Sequence, residues 1–185
     1  MIYLNDDIAG FDLAAALPLL SEQRREQCLK FRHEQGRKTC AMAYLLLCEA
    51  LRKEYGIDCR PVFGYGEHGK PVLVGLPHIH FNLSHCREAV ACVVSDRPVG
   101  IDVESVREYR ESLVSYTMND AERADISRHP RPEIAFTRLW TMKEAVLKRT
   151  GEGIGGRSMK EVLTGSEQLE TVVNEAKNYV YSVAY

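Results

Sequence analysis

Val99-Gly100-Ile101-Asp102-Val103-Glu104 has the composition of a β-strand: β-branched residues dominate, a glycine stands near the start, and acids alternate with apolar side chains. Successive side chains of a strand point to opposite faces, so Asp102 and Glu104 share one face while Ile101 and Val103 share the other. The apolar pair enters a core and the acidic pair looks out. Two carboxylates held side by side repel each other and call for compensation. A hard divalent cation such as Mg²⁺ meets that need, because it takes oxygen ligands and binds through one or two carboxylates plus substrate phosphates. The plainer reading of this segment alone is a strand edge with two solvated acids.

Ala89 to Val94, just before it, is a continuous apolar run that suits a buried strand. Asp96-Arg97-Pro98 between the two reads as a hairpin turn. Further back, His78 to His85 alternates and is extended. Arg60 to Phe63 and Pro71 to Leu76 are short strands around a glycine-punctuated loop, Gly64 to Pro71, and Ile2 to Leu4 is another short strand. Two helices precede this sheet-rich middle. Ser21 caps Glu22 to Phe31. Glu34 to Tyr55 carries apolar residues at helical spacing (Ala43, Leu47, Ala50, Leu51) and stops at Gly56. Downstream, Glu111 to Tyr116 is helical, Asn119 with Glu122 forms a capping pattern, and Glu133 to Arg149 is a long helix ended by Gly151. Gly153 to Gly156 is a loop, and Val172-Val173 with Tyr179 to Ala184 forms a closing hairpin.

The 185 residues, 45% hydrophobic and 27% charged, suit one compact unit with a weak midpoint near Asp96. No apolar run approaches the roughly 18–20 residues that cross a bilayer, and the acidic beginning does not look like a secretory signal, so the expected location is cytoplasmic with no membrane contact. A net charge of −2 gives no basic footprint for nucleic acid. The six cysteines include no C-x-x-C pair and read as reduced core residues.

Candidate chemistry is scattered. Glu144 and Lys148 lie four apart on one helix face, a spacing that by itself means no more than a surface ion pair. His85 follows Asn82 and Ser84 at a strand end, where a lone histidine is usually structural. Gly69-Lys70-Pro71 lacks the order of a P-loop, and neither G-x-S-x-G nor H-E-x-x-H occurs.

Taken in order, however, Gly69-Lys70-Pro71, Phe81-Asn82-Leu83-Ser84-His85, Gly100-Ile101-Asp102-Val103-Glu104 and Trp140-Thr141-Met142-Lys143-Glu144 with Lys148 resemble the 4′-phosphopantetheinyl transferases. The two-lobed type that activates peptide and fatty-acid synthases is the best match. The resemblance is strong from Gly69 to Lys148 and weaker from Glu22 to Leu51. It implies an α+β fold: a pseudo-twofold pair of similar lobes, residues 1–97 and 98–185, each a small antiparallel sheet packed with a long helix. The active site would lie in the cleft between the lobes, and a monomer would suffice.

The resemblance also implies a reaction. Coenzyme A binds with Mg²⁺ (or Mn²⁺) on its pyrophosphate, a serine of an apo carrier protein attacks the phosphorus next to the pantetheine arm, and 3′,5′-ADP leaves. Asp102, Glu104 and Glu144 match the metal-binding acids, and Glu144 the general base. Lys148 matches the lysine that meets the phosphates in the transition state. Ser84 and His85 match contacts to coenzyme A phosphates, and Lys70 the loop along the nucleotide. Arg24 is the best match for the 3′-phosphate, with Arg37 or Lys38 as substitutes. Lys143 matches the motif without an assignable role. The carrier is expected to be acidic, and part of the arginine-bearing stretch from Arg107 to Arg138 is the expected docking face. Two other readings stand beside this one: a non-catalytic relative that only binds carrier or coenzyme A, and a phosphohydrolase using the same acids.

Overall fold

The computed structural model describes residues 1–66, 69–152 and 158–185. Strand β1 (Ile2–Asn5) leads through a short helix α1 (Leu13–Ala16) to α2 (Glu22–Leu29) and the long α3 (Glu34–Tyr55). The Ser21 hydroxyl accepts the Arg24 N–H to start α2, and Gly56 ends α3 in the left-handed region that glycine tolerates. Then come β2 (Phe63–Tyr65), β3 (Pro71–Leu73), β4 (His80–His85), β5 (Val90–Ser95) and β6 (Gly100–Ser105). Helices α4 (Glu111–Thr117), α5 (Asp120–Arg128) and α6 (Pro132–Thr150) follow, and β7 (Leu169–Asn174) and β8 (Tyr179–Ala184) close the order. The Asn119–Glu122 capping box forms at the start of α5. The expected loop at Gly153 to Gly156 lies outside the described residues, as do Glu67 and His68 of the earlier loop.

The strands form two three-stranded antiparallel sheets, ordered β1-β5-β4 and β6-β8-β7, and a small β2-β3 hairpin. The chain is thus a mixed α and β protein built on small antiparallel sheets. Helix α3 covers the first sheet: Tyr44, Leu47, Ala50 and Leu51 pack with Phe81, Val90, Cys92 and Val94 in one core. Helix α6 crosses the second, where Ala145, Val146 and Leu147 meet Ala184, Met159 and Val162. Between the sheets Ala91 and Val93 of β5 pack with Ile101 and Val103 of β6 and Val183 of β8.

Several expectations change here. β5 and β6 do not form a hairpin. Both edges of β5 are already taken, by β1 and by β4, so Asp96-Arg97-Pro98 carries the chain from one sheet to the other. Residues 90–94 being buried without alternation was the available sign of a central strand. The second strand lies at Phe63–Tyr65, later than expected, where it can pair with β3. Of the cysteines, Cys28, Cys40 and Cys92 are buried, but Cys59 is exposed.

Candidate active site

β6 is an edge strand of its sheet, yet its acids do not simply face water. Asp102 is only 3% exposed, because α6 lies over it on one side and β4 against it on the other. Glycine makes that approach feasible. A Cβ on Gly100 would sit 2.1 Å from the Ala145 carbonyl oxygen and 2.4 Å from the Arg149 backbone nitrogen, so only a bare Cα lets β6 lie this close to the backbone of α6.

The close packing brings α6 side chains to the strand. Lys148 Nζ donates to Asp102 Oδ1 at 2.5 Å and to Ser84 Oγ at 3.1 Å. The ion pair at this helix position is therefore with the strand aspartate. Asp102 Oδ2 and Glu144 Oε1 are buried with no hydrogen-bond partner among the described residues. Such orphan acceptors cost free energy unless a ligand meets them. Glu144 has its pKa raised, first by burial and then by the Asp102 charge, against the opposing pull of Lys148. Glu104 is raised by burial and by Asp102, with Glu144 adding to it and Arg107 and Lys148 opposing. Both glutamates thus sense the Asp102 charge, one from α6 and one from β6 itself.

Among the described residues no three Asp, Glu, His or Cys side chains already converge into a metal cage. The two orphan oxygens still suit Mg²⁺, which needs only one or two carboxylates when phosphates and waters complete its shell. Its fit rests on those two atoms, with Glu104 half-buried beside them.

The basic residues gather on the N-terminal side. Arg24 is anchored by its Nε and Nη2 to the Cys40 carbonyl, at 3.2 and 2.9 Å, with its guanidinium over the Phe63 ring. It shares a hollow of about 220 Å³ with His85, Tyr65 and Leu83. His85 keeps an exposed edge, but lost hydration and the nearby Lys148 and Arg24 charges push its pKa down. Lys70 reaches the end of α6, where it donates to the Arg149 carbonyl at 2.8 Å. Arg37 and Lys38 turn elsewhere, to the carbonyls of Phe31 and Ala9, so Arg24 is the one of the three that joins His85. On the other flank of Glu104 a hollow of about 710 Å³ is lined by Arg107, Arg110, Leu113, Tyr116, Phe136 and Trp140.

Lys143, which had no role from the sequence, is fully buried. Its ammonium donates to Glu122 Oε2 at 2.7 Å, to the Met159 carbonyl at 2.7 Å and to the Thr117 carbonyl at 3.0 Å, using all three N–H groups. Burial lowers its pKa and Glu122 opposes the shift. It ties the end of α4 and the cap of α5 to the helix that carries Glu144. The signal was present: Lys143 lies four after Leu139, three before Val146 and four before Leu147, on the apolar stripe of the helix.

Fold and site together define a class: an α+β protein whose clustered carboxylates and basic residues lie where two antiparallel sheets meet, suited to a phosphate-bearing substrate. The family model of the 4′-phosphopantetheinyl transferase superfamily matches residues 98–182. A 4′-phosphopantetheinyl transferase of Bacillus subtilis is 30% identical over 156 residues, which cover 83% of this chain and 70% of the relative. The transferase psf-1 of Bacillus pumilus is 31% identical, covering 82% of this chain and 66% of its own length. The transferase AcpT of Salmonella typhi is 38% identical over 97 residues, 49% of this chain and 50% of that one. A crystal structure of Thermotoga maritima holo-[acyl-carrier-protein] synthase overlaps 47% of this chain and 61% of its own, at a TM-score of 0.40 and 16% identity. The chain belongs to the 4′-phosphopantetheinyl transferase superfamily.

Proposed function

We propose that this protein transfers the 4′-phosphopantetheine arm of coenzyme A to a serine of an apo carrier protein and releases 3′,5′-ADP. The observation that carries the reading is the pair of buried, unpartnered carboxylate oxygens, Asp102 Oδ2 and Glu144 Oε1, beside Lys148 at the junction of the two sheets. In the reaction the serine oxygen bonds to the phosphorus that bears pantetheine, the bond from that phosphorus to the ADP oxygen breaks, and the serine proton goes to a base. Glu144 is that base; without metal, burial and the Asp102 charge hold its pKa up, and a bound cation would oppose that shift. Lys148 stabilises the charge that develops on the phosphorus oxygens. Asp102, Glu144 and Glu104 would hold Mg²⁺ or Mn²⁺, which supplies charge neutralisation at the pyrophosphate. Arg24 and His85 receive coenzyme A phosphate, with Lys70 along the nucleotide, and Ser84 lies at the join between that basic flank and the acids.

The same reading treats residues 1–97 and 98–185 as two lobes related by a pseudo-twofold. The matching orders β1-β5-β4 and β6-β8-β7 support it, since in each the latest strand lies in the middle and the long helix, α3 or α6, precedes the last two strands. A chain holding both lobes works as a monomer. Among the described residues no helix is long and apolar enough to cross a membrane. The carrier presents an acidic face, which Arg107 and Arg110 beside the larger hollow would meet.

Intact-mass spectrometry of an apo acyl carrier protein incubated with this protein, coenzyme A and Mg²⁺ tests the reaction. The expected result is a gain equal to one phosphopantetheinyl group on the carrier serine. Tight coenzyme A binding with no gain on any of several carriers would leave a binding protein in place of an enzyme.

A further inference from the structure

β4 and β6 are edge strands of different sheets, and they face each other without a backbone ladder. Two side chains of β4 take the place of one. Asn82 Oδ1 accepts the Ile101 N–H at 2.9 Å, and Ser84 Oγ accepts the Val103 N–H at 3.2 Å. Asn82 and Ser84 are two apart on one face of β4, and the two amides are two apart on β6, so the strand periods match. All four residues are buried, and each amide would otherwise be an unsatisfied buried donor.

The Ser84 hydroxyl is also saturated. It has one proton and two lone pairs. The lone pairs take the Val103 N–H and the Lys148 ammonium, so the proton goes to Asp102 Oδ1 at 3.0 Å. Oδ1 of Asp102 is thereby occupied twice, by Ser84 and by Lys148, while Oδ2 is left without a partner. Nothing remains on Ser84 for a phosphate oxygen unless one of these bonds breaks.

We infer that Asn82 and Ser84 are positioning residues for Asp102: they dock β6 on β4 through side-chain bonds to its backbone, and Ser84 turns the Asp102 carboxylate so that one oxygen is held by the protein and the other is presented to a divalent cation. The inference rests on the cation assignment of the proposed function and assigns Ser84 an action through Asp102.

The test has two readouts that need no turnover. Amide hydrogen exchange is followed by NMR in the metal-free protein and in the variants Asn82→Ala, Asn82→Asp, Ser84→Ala and Ser84→Thr. Protection at Ile101 should fall about tenfold or more in Asn82→Ala, and at Val103 in Ser84→Ala, with the β5 amides unchanged. Asn82→Asp and Ser84→Thr retain an oxygen acceptor and should restore protection. Mn²⁺ uptake, read by electron paramagnetic resonance without coenzyme A, should weaken about 10–100-fold in Ser84→Ala, the range found when groups behind a metal ligand are lost. Metal-free coenzyme A binding is measured beside it. Unaltered exchange at both amides overturns the docking, and unaltered Mn²⁺ affinity in Ser84→Ala overturns the orientation of Asp102. Weaker metal-free coenzyme A binding with normal Mn²⁺ uptake would make Ser84 a phosphate ligand. If the wild-type protein takes up no Mn²⁺, the cation leaves the proposed function and the orientation falls with it, while the exchange data still decide the docking.

Discussion

Glu144 shows how burial and one neighbouring charge adjust a carboxyl group for its work. Its folded pKa lies above that of an exposed glutamate, about 4.3. The folded state therefore binds this proton more tightly than the unfolded chain does. Stability attributable to the group is greatest at low pH and is lost as pH rises through the folded value. Glu104 behaves the same way. In urea melts without metal, Glu144→Gln and Glu104→Gln should therefore be more stable than wild type at pH 8, and the advantage should vanish below about pH 4. Added Mg²⁺ should raise the midpoint of wild type more than that of either variant, since it binds the folded form only. Transfer by Glu144→Gln should fall by about 10²–10⁴. Transfer by that variant within about tenfold of wild type would remove Glu144 as the base. Glu144 and Lys148 were recognisable in the sequence through the ordered motifs that resemble the 4′-phosphopantetheinyl transferases, since their four-residue spacing alone reads as a surface ion pair. Lys148 bonding Asp102 was not, since that depends on how α6 lies across β6.

Among the secondary-structure elements, the contact between β6 and α6 sets the site. Gly100 allows backbone to meet backbone there, which fixes the distance from Asp102 to Glu144 and Lys148. Gly100→Ala should cost about 1–3 kcal/mol, the usual range for forcing extra atoms into packed space. It should also lower transfer by more than the fraction unfolded explains, because the acids separate as the strand is pushed from the helix. A variant with normal turnover in the folded population would show that the spacing is not critical. Helices α3 and α6 were legible from apolar spacing and their terminal glycines, and β6 from its alternation. The pairing of β6 with β8 was not, because partner choice is decided by which edges remain free. The same holds for Asn82, whose part in joining the sheets follows from the position of β6 and not from any local pattern.

Seen whole, the molecule divides its basic side chains: Arg24 and His85 on the side of the first sheet, Arg107 and Arg110 beyond Glu104 on the other. The proposed carrier face is on the second side. Arg110→Glu should raise KM for the carrier about tenfold at low salt, less at high salt, and leave KM for coenzyme A unchanged. Equal effects on both substrates would move docking elsewhere. Arg131 is a poorer candidate, being paired with Glu133 and Glu175. The strand orders have one more consequence, in time. β5 follows β1 and β4, and β8 follows β6 and β7, yet β5 and β8 are the central strands. Neither sheet can close until its latest strand leaves the ribosome. The first can be complete before β6 is made. β6 must then wait through three helices and β7, a matter of seconds at about 5–20 residues per second, with one edge bare. A bare edge invites pairing with another chain, so in the nascent protein the strand bearing Asp102 and Glu104 stays vulnerable until β8 arrives to cover it.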